Sequence, residues 1–129
     1  MSYLNKRVSG ALSGWLPVAA WCFLIFFVSG IPNLRIEAIG IFDLIFRKIA
    51  HFTEYAVLAG LTARALRNSG VRDRKSMVFW ACFAGILYAV SDEYHQYLVP
   101  GRYFAIKDIL LDSAGCMAGA LIYGKKSGK

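Results

Sequence analysis

Cysteine is sparse, and the three present, Cys22, Cys82 and Cys116, are odd in number, lie in separate apolar runs and form no C-x-x-C pair. A disulfide framework is therefore not expected, and the three read as small packing residues. Neither an H-E-x-x-H motif nor a recognised nucleophile motif occurs. Low-complexity segments are absent, and the two halves show no convincing internal repeat, which argues against an inverted-repeat transporter. The chain also lacks the many alternating strands of a barrel, so its continuous apolar runs leave helix as the state. Acids are few, with eight Asp and Glu against fifteen Lys and Arg. The resulting net charge of +7 and pI near 9.5 suggest nucleic acid only until the positions of the charges are considered.

What is abundant is apolar surface. Hydrophobic residues make up 57% of 129 residues and mean hydropathy is +0.48, above the roughly half-apolar composition of soluble domains. The class is an all-α integral membrane protein of one domain, 1–129. A helix crosses the hydrocarbon with about 20 residues, and four stretches qualify, roughly 11–31, 47–67, 76–95 and 106–124. The first lies in the uncharged sequence Val8 to Leu34. Lys6, Arg7 and the Val28-Ser29-Gly30 triplet imitate a signal peptide, but the run is too long, so an uncleaved span is expected. The second is closed by Arg64 and Arg67, the third follows Arg72-Asp73-Arg74-Lys75, and the fourth ends against Lys125-Lys126.

Four crossings put ten of the fifteen basic residues on one face: Lys6, Arg7, Arg64, Arg67, Arg72, Arg74, Lys75, Lys125, Lys126 and Lys129. That face carries one acid, Asp73, so the positive-inside rule makes it and both termini cytoplasmic. The other face collects Arg35, Arg47, Lys48, Arg102 and Lys107 with seven acids: Glu37, Asp43, Glu54, Asp92, Glu93, Asp108 and Asp112. The basic loops are expected to attract anionic lipid, and no nucleic-acid site is expected.

Between the first two spans, Glu37, Gly40, Asp43 and Arg47 recur at spacings of three and four among isoleucines and phenylalanines. Segment 34–46 is therefore expected to form a helix in the outer interface or, equally well, a buried connector. Asn68-Ser69-Gly70 marks an inner turn and Pro100-Gly101 a sharp outer one.

Polar residues bordering or entering apolar spans are costly unless paired or hydrated, so they define a candidate site. On span two, Lys48, His51 and Tyr55 share a helical face, with Glu54 one step around it. At the end of span three, Asp92 and Gln96 are i, i+4 neighbours. Glu93 starts the adjacent stripe, so one acid is expected to face the bundle centre and the other to pair with Arg102 or Lys48. Tyr94 and His95 read as interfacial rings. On span four, Asp108, Asp112, Gly115 and Gly119 step along one face, which predicts a G-x-x-x-G contact with a neighbouring helix and carboxylates facing protein.

These blocks resemble the VanZ-like family of small bacterial membrane proteins. The resemblance lies in Arg47-Lys48-Ile49-Ala50-His51-Phe52-Thr53-Glu54-Tyr55, Ser91-Asp92-Glu93-Tyr94-His95-Gln96, Pro100-Gly101-Arg102, and Asp108 to Asp112 with Gly115-x-x-x-Gly119, and it spans about residues 15–123. Asp112 stands where many members carry Asn. The resemblance implies a module of the bacterial inner membrane, and through the founding member an association with teicoplanin resistance.

Three functions compete, beside a purely structural role for the polar cluster. An outward-facing pocket would bind an envelope lipid headgroup, a cell-wall precursor or a glycopeptide-type ligand. Lys48 and Arg102 would contact phosphate or carboxylate there, while Asp92, Glu93, Asp108 and Asp112 would meet amines, hydroxyls or a bridging cation. Alternatively, a membrane enzyme would use His51 or Glu93 as general base on a lipid-linked substrate, with an acid-rich site for Mg²⁺ or Ca²⁺. A small proton-coupled transporter is the third reading. Of these, the pocket is the leading expectation, with Lys48, His51, Glu54, Tyr55, Asp92, Glu93, Gln96, Arg102, Asp108 and Asp112 as ligand-binding residues and no cofactor or resident metal assigned.

Overall fold

A computed structural model describes residues 2–31 and 40–128. Among the described residues the chain is helical, with no strand: α1 (Ser2–Ser29), α2 (Ile41–Asn68), α3 (Arg74–Tyr97) and α4 (Ile106–Ser127). At a rise of about 1.5 Å per residue they are roughly 42, 42, 36 and 33 Å long, each longer than a hydrocarbon core of about 30 Å. All four run past the expected spans at one end or both: α1 starts earlier, at Ser2, though it stops at Ser29, α2 is lengthened by the apolar residues 41–46, and α3 and α4 by polar flanks.

One expectation is corrected. Residues 41–46 do not belong to a separate interfacial helix; they form the first turns of α2, in which Asp43 pairs with Arg47 at 3.1 Å. Residues 34–39 of that segment lie outside the described residues.

Local chemistry explains the turns. After α2, Val71 N–H donates to Leu66 O at 3.0 Å and Gly70 N–H to Arg67 O at 3.1 Å. This Schellman closure needs a left-handed residue, and Gly70 supplies it with φ of 108°. Asp73 then caps α3, accepting from the Ser76 amide at 2.9 Å. Between α3 and α4, Arg102 N–H donates to Val99 O at 3.2 Å across Pro100-Gly101, with Gly101 at φ 82°. That is the type II turn expected of Pro followed by Gly.

The helices run antiparallel in sequence. The most extensive contact joins α2 to α4; α3 packs on both, and α1 leans on α2 with a small contact to α3. Small residues permit the α2–α4 seam: a Cβ at Gly115 would collide with the Phe52 carbonyl, and one at Gly119 with the Ala56 carbonyl. The buried core is correspondingly small-sided, with Ala59, Ala63, Ala81, Ala89, Cys116 and Ala120 around Tyr55, Leu58, Met77 and Ile25.

Large apolar side chains point outward on every helix, including Phe23, Phe27, Phe52, Phe79, Phe83, Leu110 and Leu121. Exposed apolar surface of this extent is foreign to water-soluble monomers. Among the described helices α1 alone is long and apolar enough to cross a membrane by length and composition. The polar side chains on α2, α3 and α4 keep those helices below that threshold.

Candidate polar binding site

The end of the bundle formed by the C-termini of α1 and α3 and the N-termini of α2 and α4 gathers the polar residues expected from the sequence. Lys48 Nζ on α2 is paired with Asp108 on α4. One turn further along both helices, His51 Nδ1 lies 3.2 Å from Asp112 Oδ1. The spacing i, i+3 on α2 faces i, i+4 on α4, so two acid–base pairs stack along the same seam that Gly115 and Gly119 close below.

Asp92, on α3, is the hub of a second group. Its carboxylate accepts from Ser29 Oγ at 2.5 Å, Tyr55 Oη at 3.1 Å and Gln96 Nε2 at 3.1 Å. Three helices thus converge on one carboxylate. Tyr55 is fully buried and Asp92 almost so, which makes these bonds the means by which Asp92 is tolerated in the interior. Glu93 is also buried, and its Oε1 accepts from the Ala105 amide at 2.6 Å while Oε2 has no partner among the described residues. The expectation that one of these acids pairs with Lys48 or Arg102 is corrected: neither does. The turn between α3 and α4 folds back over Glu93, and Arg102 donates instead to the Ser29 carbonyl at 3.0 Å.

Two adjoining cavities open into this cluster. The larger, about 220 Å³, is lined by Arg47, Lys48, His51, Gln96, Arg102 and Asp108, together with Leu44, Gly101, Tyr103 and Ala105. The other, about 140 Å³, reaches α1 at Ile25, Val28 and Ser29 and includes Ala50, Glu54 and Asp92. Arg47, His51, Gln96 and Arg102 line both. The larger cavity is rich in cations and the smaller one holds two carboxylates. No side chain among the described residues bonds the Glu54 carboxylate; only its main-chain carbonyl is used, by the Trp21 indole at 2.9 Å.

Of the ten expected residues, Lys48, His51, Glu54, Asp92, Gln96, Arg102 and Asp108 line one or both cavities. Tyr55 and Asp112 stand behind them as bonding partners, and Glu93 anchors the turn. Gly115 and Gly119 lie at the α2–α4 seam. His95 stacks on Phe26 with ring centroids 4.1 Å apart. Arg47 and Ser29 also belong to the site, although neither is among the ten. Arg47 shares a face with His51 at i, i+4, which is a usable signal; Ser29 sits in the triplet that imitates a cleavage site, and nothing in its neighbours marks it. Among the described residues no group of three or more His, Cys, Asp or Glu is placed to hold a metal ion. Asp92, Glu93, Asp108 and Asp112 are instead each bonded to protein.

A family model described as VanZ/LLP1 matches residues 14–125 of the chain. No curated protein and no solved structure matches it.

Proposed function

The chain belongs to the VanZ/LLP1 family and is a membrane protein, and from that premise we propose that all four helices cross the bacterial inner membrane and hold an outward-facing pocket for a charged envelope ligand. That ligand is a lipid headgroup, a cell-wall precursor or a glycopeptide-type molecule. The basic ends of the helices, with Asp73 as the one acid, support an inner location for both termini. The pairing of Lys48 with Asp108 and of His51 with Asp112 supports membrane crossing by α2 and α4 despite their charge.

The observation that carries the pocket reading is the pair of adjoining cavities sharing Arg47, His51, Gln96 and Arg102. Their charges suit an amphoteric ligand. Arg47, Lys48 and Arg102 would take a phosphate or carboxylate, and Glu54 with Asp92 would take an amine or hydroxyls from the smaller cavity. Resemblance extends the reading to teicoplanin-type glycopeptides. In membranes, a photo-crosslinking envelope-lipid probe should label the chain, and Arg102→Ala combined with Asp108→Asn should abolish the label. Undiminished labelling of that variant would overturn the pocket.

One observation favours a second reading, a membrane enzyme acting on a lipid-linked substrate. Asp112 occupies Nδ1 of His51, and His51 lines both cavities, an arrangement that orients a histidine to act as general base through Nε2. Purified protein that turns over no extracted envelope lipid, with or without divalent metal, would end this reading.

A further inference from the structure

The opposite end of the bundle has a cavity that the polar site does not use. Arg67 near the end of α2, Arg72 in the turn and Arg74 at the start of α3 line about 100 Å³ of space against Met77, Gly124 and Ser127. No acid lines it. The nearby Asp73 is turned onto the Ser76 amide and hydroxyl, at 2.9 and 2.7 Å. Arg67 is fixed in place by donating to the main-chain carbonyl of Ser127. Arg74 lies across α4 at Gly124, its Nε 3.3 Å from where a Cβ would stand. Three arginines drawn from three consecutive segments therefore line one cavity, and among the described residues none of them is paired with an acid.

Arg74 also borders a second cavity, about 320 Å³, whose other walls are Lys75, Val78, Phe79 and Leu121. This groove is apolar, lies on the outside of α3 and α4, and shares Arg74 with the arginine cavity. A cationic cup and an apolar groove that meet at Arg74 match a molecule that is anionic at one end and hydrocarbon at the other.

We propose that this end binds one anionic phospholipid, its phosphate held between Arg67, Arg72 and Arg74 and an acyl chain laid along Val78, Phe79 and Leu121. Arginine forks meet phosphate oxygens two at a time, and basic pockets between helices are the usual form of headgroup sites. The site is independent of the polar pocket at the other end.

The test uses the full chain in phosphatidylcholine nanodiscs doped with phosphatidylglycerol, with retained lipid read by native mass spectrometry. Wild type should retain phosphatidylglycerol selectively. Arg72→Gln with Arg74→Gln, both exposed positions, should weaken retention by about tenfold or more. Lys125→Gln with Lys126→Gln removes the same charge from the same end outside the cavity and should change retention little. Equal loss in the two variants, or no preference over phosphatidylcholine, would overturn the site. Saturable binding of inorganic phosphate without retained phosphatidylglycerol would overturn the lipid assignment.

Discussion

Gly119→Ala is the most diagnostic single methyl group in this chain. A Cβ at Gly119 would stand 2.6 Å from the Ala56 carbonyl carbon and 2.8 Å from its Cα, and would overlap the carbonyl oxygen. The obstacle is main chain, so no rotamer change relieves it and α2 and α4 have to part. Comfortable carbon contacts lie at about 3.5–4.0 Å, which sets the separation near 1 Å. A gap of that size forfeits roughly a quarter to a half of each facing contact, and overpacking costs about 1–3 kcal/mol. The cost falls at the high end because α2–α4 is the most extensive contact. Better helix propensity returns up to about 1 kcal/mol, for a net loss near 2 kcal/mol. Gly10→Ala, with nothing within 4 Å, is the control and should gain about 0.5–1 kcal/mol. Gly85→Ala is intermediate, because its obstacle is the Cys116 Sγ at 2.5 Å, a side chain that Cys116→Ala removes. Unfolding by SDS in mixed micelles, followed by the fluorescence of Trp15, Trp21 and Trp80, orders the variants. If Gly119→Ala is as stable as Gly10→Ala, the close-seam argument is refuted.

Asp112→Asn keeps an acceptor for His51 and should change stability by less than about 1 kcal/mol, whereas Asp112→Ala, which strands the imidazole beside a void, should cost about 2–4 kcal/mol in the same assay. Tyr55→Phe removes one of three donors to Asp92 and should cost about 1–2 kcal/mol; a neutral result would mean that Ser29 and Gln96 satisfy that carboxylate alone. The Ser76 hydroxyl and amide hold the Asp73 carboxyl below its ordinary value. Its capping contribution is therefore complete above about pH 4 and lost as pH falls through the lowered folded value. Asp73→Asn should flatten that acid limb, so melting followed by circular dichroism should show a gap between the two proteins that is constant above about pH 4 and changes only below it; curves parallel throughout would refute it.

Helices and turns were legible because their signals are local. Apolar runs, Pro100-Gly101 and Asn68-Ser69-Gly70 fix where the helices run and the chain reverses, and the four, three, four stepping from Asp108 to Gly119 puts acids and glycines on one face. The start of α2 at Ile41 was not legible, since residues 41–46 are as apolar as residues 49–63 and periodicity alone gives no boundary. The partner of Glu93 is not legible, for a tertiary reason. Adjacent residues on a helix point about 100° apart, so one was expected to meet a base. Ser29 of α1 covers one of them and the returning turn at Ala105 covers the other, and neither cover is visible from α3 itself.

The Lys48–Asp108 ion pair, the His51–Asp112 contact and the glycine seam divide the work of holding α4, and the division can be tested. Lys48 and Asp108 keep 43% and 20% of their side chains exposed at the cavity mouth. A pair so placed contributes about 0–1 kcal/mol, because water screens it and both side chains lose freedom. Replacing an ion pair by apolar residues of similar size is often neutral or stabilising, whereas removing one partner leaves a charge without its counterpart. The seam, built from contacts among Gly115, Gly119, Phe52 and Ala56, carries no such desolvation cost. Lys48→Met combined with Asp108→Leu should therefore leave stability within about 1 kcal/mol of wild type, while Asp108→Leu alone should cost more than the double variant. If the pair serves the pocket, the stable double variant should lose photo-crosslinking by the envelope-lipid probe. If the double variant unfolds, the pair is scaffold. If it folds and is labelled as well as wild type, the ligand is held elsewhere in the cavities, and Arg47 and Arg102 become the cations to replace next.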